Sequence, residues 1–134
     1  MKYMLDTNIC IFAIRNCNEN VLKKFHEHLN DELYISSITL AELMYGVEKS
    51  RSPEQNRNAL LQFLTLIDIK EFSEKAAIEY GKIRAFLENQ GTPIGPLDTL
   101  IAAHAVSENM ILVTHNTKEF LRVPDLTVEN WTFE

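Results

Sequence analysis

The sequence predicts an α/β domain whose sheet is largely parallel and covered by helices on both faces. Short apolar runs alternate along the chain with longer segments in which apolar residues recur at helical spacing. The runs are almost continuously apolar, as expected for strands that are buried on both faces. With 134 residues, of which 46% are hydrophobic, the chain is long enough for one sizeable core and too short for two. We therefore expect a single domain over residues 1–134.

The first strand is predicted at residues 3–5, where an apolar run is ended by Asp6-Thr7-Asn8, a turn or cap cluster. Apolar residues at helical spacing follow it. A second helix fits the apolar positions between residues 21 and 29, and residues 33–35 form the second strand. The next helix is predicted to begin near Thr39. Its interior contains Gly46, which we expect to permit close packing.

The second half continues the alternation. Ser52, followed by Pro53 and Gln55, predicts a helix that begins with a capping box, and residues 66–72 alternate well enough for a third strand. Ser73 caps a long helix that ends at Gly91. Beyond a proline-rich loop at 92–96, we predict a helix at 97–108, a strand at 110–113, a short helix at 118–121 and an edge strand at 126–128.

Four carboxylates follow strands or open helices in this scheme: Asp6, Glu42, Asp98 and Glu119. Each taken alone is explained equally well by capping, since Thr39 with Glu42 and Asn116 with Glu119 resemble capping boxes. Jointly they favour a site, because the carboxyl ends of parallel strands share one edge of the sheet. We predict that Asp6, Glu42, Asp98 and Glu119 are catalytic.

Carboxylates crowded at one edge repel each other unless a cation compensates them. Mg²⁺ or Mn²⁺ suits oxygen ligands, and Asp6, Glu42 and Asp98 are the predicted metal ligands. The side chains of Asn8, Thr114 and Asn116 are candidate supports, as are the hydroxyls of Thr7 and Ser37, although turn formation explains these residues equally well.

The histidines and cysteines show no paired spacing of the kind that zinc requires. His26 and His28 diverge on one helix, we expect His104 to be a core residue, and His115 is better explained as solvated scaffold than as a catalytic group. Cys10 and Cys17 are expected to be reduced core thiols. No serine elbow, glycine-rich phosphate loop or Cys/His pair suggests covalent catalysis.

The net charge of −6 argues against binding to nucleic acid by bulk electrostatics. The clustered acids account for part of this charge, and two divalent cations would cancel four of the negative charges. The first residues place an acid where a secretory signal needs an apolar stretch, and no run approaches a membrane span. We therefore expect a cytoplasmic protein with no membrane association.

Four motifs carry a family resemblance: residues 4–8 (MLDTN), 36–43 (SSITLAEL), 95–98 (GPLD) and 112–120 (LVTHNTKEF). With these motifs in this order over residues 3–131, the chain resembles the PIN-domain ribonucleases and, among them, the VapC toxins of bacterial toxin-antitoxin pairs. The resemblance implies a three-layer α/β/α fold, dependence on Mg²⁺ or Mn²⁺, and endonucleolytic cleavage of RNA, with tRNA the expected substrate. It also implies a homodimer that is silenced by a VapB-like antitoxin.

Carried over by motif, Asp6, Glu42 and Asp98 match the metal-binding acids and Glu119 matches the fourth acidic position. Asn116 stands where many relatives have aspartate, so both Asn116 and Glu119 are candidates to complete the site. Metal-assisted hydrolysis would leave 5′-phosphate and 3′-hydroxyl ends. Candidate RNA contacts, each equally readable as ordinary solvated surface, are Lys82, Arg84, Lys118 and Arg122.

Three other functions remain open at this point. In the first, the chain has this fold but binds a protein or nucleotide without catalysis. In the second, it is a PIN nuclease of RNA processing rather than a toxin. A magnesium-dependent phosphatase is a further alternative, but a phosphoryl-accepting aspartate usually needs a neighbouring motif that this sequence lacks.

Overall fold

The computed structural model describes residues 1–133, and over this range the chain forms five strands and seven helices. The strands are β1 (Lys2–Leu5), β2 (Glu32–Ser36), β3 (Asp68–Lys70), β4 (Ile111–Val113) and β5 (Val128–Glu129). The helices are α1 (Thr7–Arg15), α2 (Glu19–Glu27), α3 (Ser37–Lys49), α4 (Pro53–Leu64), α5 (Glu74–Asn89), α6 (Pro96–Ser107) and α7 (Thr117–Phe120).

The strands form one sheet in the order β3-β2-β1-β4-β5, and all four pairings are parallel. Strand β1 lies at the centre, where Tyr3 is opposite Leu33 of β2 and Ile111 of β4. The predicted α/β class with a parallel sheet is confirmed. Because the strands run in the same direction, their carboxyl ends all meet the loops of one edge.

Side chains of β1 alternate between two hydrophobic layers, as the period of a strand requires. Tyr3 and Leu5 pack with α1 to α4 on one face, whereas Met4 packs with α5, α6 and α7 on the other. Neighbouring strands repeat this division, since Leu112 of β4 points into the second layer and Val113 into the first. The result is the expected α/β/α sandwich, with a core on each side of the sheet.

The two outer strands differ from the sequence-based prediction. Strand β3 has three residues rather than seven, because Leu66 still donates to Phe63 at the end of α4 and Phe72 donates to the Ser37 side chain. Strand β5 begins at Val128 rather than residue 126. Asp125 has a left-handed φ of 64°, and the chain reaches β4 only after this turn.

Capping was predicted with mixed success. Ser73 accepts a hydrogen bond from the Ala76 N–H, as expected, but Ser52 makes no side-chain cap at the start of α4. The alternative explanation of Thr39 with Glu42 as a capping box does not hold. Helix α3 begins earlier, because Ser36 at the end of β2 is its N-cap and accepts from the Ile38 N–H at 3.1 Å.

Cys10 is a buried free thiol, as predicted, whereas Cys17 is exposed, so the prediction of a second core thiol is wrong. Cys17 follows the end of α1, where Asn16 turns the chain out of the helix with a left-handed φ of 56°. None of the helices between residues 1 and 133 has the length and apolar character needed to cross a membrane.

We predict that Gly46→Ala stabilises the isolated protein. A Cβ at this helix-interior position meets no atom within 4 Å, so glycine is not needed for packing there, contrary to the sequence-based expectation. Alanine should raise the free energy of unfolding by about 0.5–1 kcal/mol, because glycine loses more backbone freedom on folding. Urea denaturation measures the difference.

The matched control is Gly91→Ala after α5. Space is open there too, but Gly91 has a φ of +71°, so alanine should destabilise the fold. If both substitutions changed stability in the same direction, backbone conformation would not be the cause.

Candidate active site

Three of the four predicted acids lie at the sheet edge formed by the carboxyl ends of the strands or on helices that begin there. Asp6 follows β1 directly and is the N-cap of α1, Glu42 lies in the second turn of α3, which follows β2, and Glu119 lies in α7, just beyond β4. Asp98 occupies the first turn of α6. The sheet thus brings to one edge residues that are far apart in sequence.

Asp6 is held firmly although it is only 8% exposed. Its Oδ1 accepts the Ile9 N–H at 2.9 Å, and its Oδ2 accepts the hydroxyl of Thr114. The Thr114 hydroxyl oxygen in turn accepts the N–H of Asn116 at 2.9 Å. This chain of hydrogen bonds fixes the carboxylate between the end of β1 and the end of β4.

Burial raises the pKa of Asp6 to about 6, against the lowering effect of its two hydrogen bonds. The negative charge of Asp98 raises this pKa further, and His115 opposes it. The pKa of Asp98 is also raised, first by burial and then by the charges of Glu119 and Glu42. All four predicted acids therefore interact electrostatically, with Asp98 as the member that connects the others.

Glu42 is oriented by a neighbouring hydroxyl. Thr7, the first residue of α1, donates its hydroxyl to Glu42 Oε1 at 2.7 Å. This bond connects α1 to α3 next to Asp6, so the hydroxyls of Thr7 and Thr114 each hold one acid, as the sequence suggested. Ser37 instead accepts the Phe72 N–H at 3.0 Å.

The donor chemistry of this site fits a hard divalent cation. All four groups are carboxylates, and an ionised carboxylate that accepts one or two hydrogen bonds still has lone pairs for a metal. Within residues 1–133, however, no three His, Cys, Asp or Glu side chains are close enough to hold a metal ion as they stand. The acids form an electrostatically coupled group rather than a closed set of ligands.

The remaining candidate supports lie around the acids. Asn8 is exposed on the first turn of α1, and Asn116 is half-buried ahead of α7, where its side chain makes no capping bond. His115 is exposed, with its ring edge-on to Phe12 at 6.3 Å. Of these, His115 is close enough to lower the pKa of Asp6, and the Asn116 N–H is connected to Asp6 through the Thr114 hydroxyl.

The candidate RNA-binding cations differ in how they are engaged. Lys82 is 3.8 Å from Glu79, and Arg84 donates to Glu88 and to the Tyr80 hydroxyl on α5. Arg122 donates to the backbone carbonyl of Pro93, in the loop that leads to Asp98. Lys118 is exposed on α7 beside Glu119. The last two therefore lie nearer to the acids along the chain.

Sequence reasoning assigned no site role to Ser36 and placed His104 in the core. His104 is indeed fully buried, and its Nδ1 lies 2.8 Å from Ser36 Oγ. His26 is exposed, and His28 pairs with Asp31 at 2.7 Å and stacks on Trp131, remote in sequence from the acidic motifs. A lone serine at a strand end gave no signal that would have linked it to a histidine 68 positions away.

Residues 3–126 match the PIN domain family. A curated relative from Shigella flexneri, named tRNA(fMet)-specific endonuclease VapC, is 48% identical over 98% of this chain and 99% of its own length. Ribonuclease VapC2 from Rickettsia felis is also 48% identical, over 98% of both chains.

Solved structures agree with these similarities. A chain in the crystal structure of VapBC2 from Rickettsia felis bound to a DNA fragment from its promoter superimposes with a TM-score of 0.93. It is 47% identical, and the match covers 98% of this chain and 99% of that one.

We predict that Asp6→Asn stabilises the metal-free protein at pH 7 and abolishes cleavage of RNA. An amide keeps the acceptor for the Ile9 N–H but carries no charge to desolvate. Because the pKa of Asp6 rises from 3.8 to about 6 on folding, its ionised form costs the native state on the order of 3 kcal/mol. Denaturation in the presence of a chelator measures this gain.

The pH dependence has a definite sign. Between about pH 4 and 6 the native state binds the Asp6 proton more tightly than the unfolded state does, so wild-type stability falls as pH rises through this window. The advantage of Asp6→Asn should therefore shrink on acidification to pH 4. Asp68→Asn, at an exposed position, is the control. A less stable Asp6→Asn protein at pH 7 would contradict the prediction.

Proposed function

Because the chain belongs to the PIN domain family and, within it, to the VapC ribonucleases, we propose that it is a toxin that cleaves tRNA at the acidic edge of its sheet. The enzyme is an endoribonuclease, a hydrolase of phosphodiester bonds. The observation that carries the site assignment is the electrostatic coupling of Asp6, Glu42, Asp98 and Glu119, which four separate segments of the chain bring to one edge.

The proposed cofactor is Mg²⁺ or Mn²⁺, held by Asp6, Glu42 and Asp98. When bound, such a cation supplies activation of water and neutralisation of charge at the scissile phosphate. The donor set supports this choice, because all four acidic groups are carboxylates and hard cations prefer carboxylate oxygen. A bound cation would also compensate the repulsion that raises the pKa of Asp98.

The side chains of this protein then divide the remaining tasks. Thr114 and the Ile9 N–H hold Asp6, and Thr7 holds Glu42, so hydrogen bonds fix the orientation of both carboxylates. Glu119 acts as the fourth acidic group, since its charge reaches Asp98. Lys118 and Arg122 are the proposed contacts to the RNA backbone.

The substrate and partner proposals follow from the relatives. The Shigella flexneri protein is named as specific for tRNA(fMet), and we propose the same class of substrate for this chain. The Rickettsia felis structure is of VapBC2, which supports a VapB-like antitoxin as the partner. Exposed apolar side chains on the adjacent helices α3 and α4, Met44, Tyr45 and Leu61, provide surface for protein contacts, including a homodimer.

Two further parts of the proposal concern organisation. Residues 1–134 form one domain, which the layers on the two faces of a single sheet support. The protein acts in the cytoplasm, where tRNA is available.

We predict that Asp98→Asn abolishes RNA cleavage without unfolding the protein. Asp98 connects the other three acids, and the amide neither carries charge nor binds a hard cation well. The measurement is cleavage of a tRNA(fMet) transcript in Mg²⁺ and in chelator, with the new 5′ ends mapped. Wild type should yield 5′-phosphate fragments only with the metal.

Asp68→Asn, an exposed aspartate on β3, is the matched control and should cleave normally. Thermal unfolding of both variants verifies the fold. Cleavage by highly purified Asp98→Asn protein at the wild-type rate would remove the proposed site.

We also predict that expression of the wild-type chain arrests bacterial growth and that a co-expressed VapB-like antitoxin restores it. Cleavage of a tRNA would stop translation, whereas a PIN nuclease of RNA processing would not require an antitoxin. Growth curves with wild type and with Asp98→Asn measure the effect. Harmless expression of a folded protein that cleaves RNA in vitro would assign the chain to RNA processing instead.

A further inference from the structure

A buried hydrogen bond lies between the two helices that carry Glu42 and Asp98. His104, in the last turn of α6, has no exposed surface, and its Nδ1 is 2.8 Å from Ser36 Oγ. Ser36 is equally buried and is the N-cap of α3, where its Oγ accepts the Ile38 N–H. The imidazole of α6 is thus bonded to the group that begins α3.

The Ser36 hydroxyl can bond to either tautomer of the imidazole. Its Oγ accepts from the Ile38 N–H and still has a proton to donate to His104 Nδ1 and a second lone pair to accept from it. Burial lowers the pKa of His104, so the ring is neutral at pH 7. In the described part of the chain, Nε2 has no partner with full hydrogen-bond geometry, but the backbone of Glu71 interacts with the ring and raises its pKa against the effect of burial.

Packing alone does not explain a histidine at this position. A buried ring nitrogen without a full hydrogen bond costs free energy, which a leucine of similar volume would avoid. The ring also has an apolar neighbour, since Phe72 meets it edge-on at 5.3 Å. The one full hydrogen bond that the structure shows for the ring within residues 1–133 is the bond to Ser36.

The spacing along both helices relates this bond to the acids. Glu42 lies six residues after Ser36, and His104 lies six residues after Asp98. At 1.5 Å per residue, each acid is roughly 9 Å along its helix from the buried bond. Glu42 and Asp98 also interact electrostatically, so the same two segments meet twice, once in the core and once at the site.

The two interactions between these helices have opposite effects: one is repulsive and the other attractive. The carboxylates of Glu42 and Asp98 repel each other and tend to separate the two helices at the site. The bond between His104 and Ser36 attracts the same helices in a buried region, where hydrogen bonds are strongest. It therefore opposes the separation that the carboxylates favour.

We infer that the hydrogen bond between His104 and Ser36 positions Glu42 relative to Asp98 for binding the divalent cation. His104 is thus a positioning residue that acts through Ser36 and α3, and it touches neither substrate nor metal. This inference rests on the proposed function, since it concerns the same site.

The test compares His104→Leu with His104→Asn. Leucine fills the space but cannot bond to Ser36, whereas the asparagine amide places a polar atom near the position of Nδ1. We measure Mn²⁺ affinity by calorimetry without RNA, the Mg²⁺ concentration that gives half-maximal tRNA cleavage, and the temperature of thermal unfolding. Asp98→Asn protein supplies the calorimetric blank.

For His104→Leu we expect Mn²⁺ binding and Mg²⁺ dependence weakened on the order of tenfold, as for other groups that support metal ligands indirectly. The unfolding temperature should change little, because the unpaired Nε2 is removed while the buried Ser36 hydroxyl loses its partner. His104→Asn should recover most of the affinity. Ser36→Ala combined with His104→Leu should be no weaker in Mn²⁺ affinity than the weaker single variant, because both remove the same bond.

Wild-type Mn²⁺ affinity in His104→Leu would overturn the inference, as would parallel losses of stability and affinity in the leucine and asparagine variants alike. If His104→Leu does not fold, wild-type affinity in folded Ser36→Ala overturns it equally. The proposed function fails separately, when wild-type protein cleaves no RNA in Mg²⁺. Cleavage by wild type with an unaffected His104→Leu variant would refute the positioning role alone.

Discussion

The parallel pairing of β1 with both β2 and β4 is the constraint on which the rest of the structure depends. It sends three chain segments to one edge of the sheet, where Asp6, the start of α3 and Thr114 meet. A shift of β1 by one residue would move Met4 from one hydrophobic layer into the other, so the register is held by both layers at once. The carboxylates therefore come together because the core packs, and against their own mutual repulsion.

Helix N-termini stabilise the clustered negative charges, but by less than the cost of burying them. Asp6 caps α1 and Asp98 lies in the first turn of α6, where N–H groups and the helix dipole favour an anion by about 0.3–1 kcal/mol. The burial of Asp6 costs more, on the order of 3 kcal/mol, which is why its pKa rises to about 6. Packing of the two hydrophobic cores offsets this cost, so the group of acids lowers the stability of the fold.

Periodicity in the sequence was sufficient to predict the class of the fold, the helices and the three inner strands, because burial on both faces leaves continuous apolar runs. The outer strands were predicted less well. Strand β3 is shortened because the Phe72 N–H bonds to the Ser37 side chain, and β5 begins only after the turn at Asp125. The grouping of the acids was predicted because they follow strands or open helices. Their geometry was not, since the bond from Thr7 to Glu42 spans 35 positions and depends on how α1 packs against α3. His104 was identified as buried, but a lone histidine in an apolar helix does not reveal its partner.

The bond between Thr114 and Asp6 joins residues 108 positions apart. During vectorial synthesis the N-terminal strand leaves the ribosome first, yet its neighbour β4 and the threonine that orients Asp6 are among the last parts to be made. Strand β1 therefore pairs with both β2 and β4 only when most of the chain has been synthesised. A nascent chain that lacks β4 consequently lacks both the second partner of β1 and the hydroxyl that holds Asp6, so the proposed site forms only when most of the chain has been made.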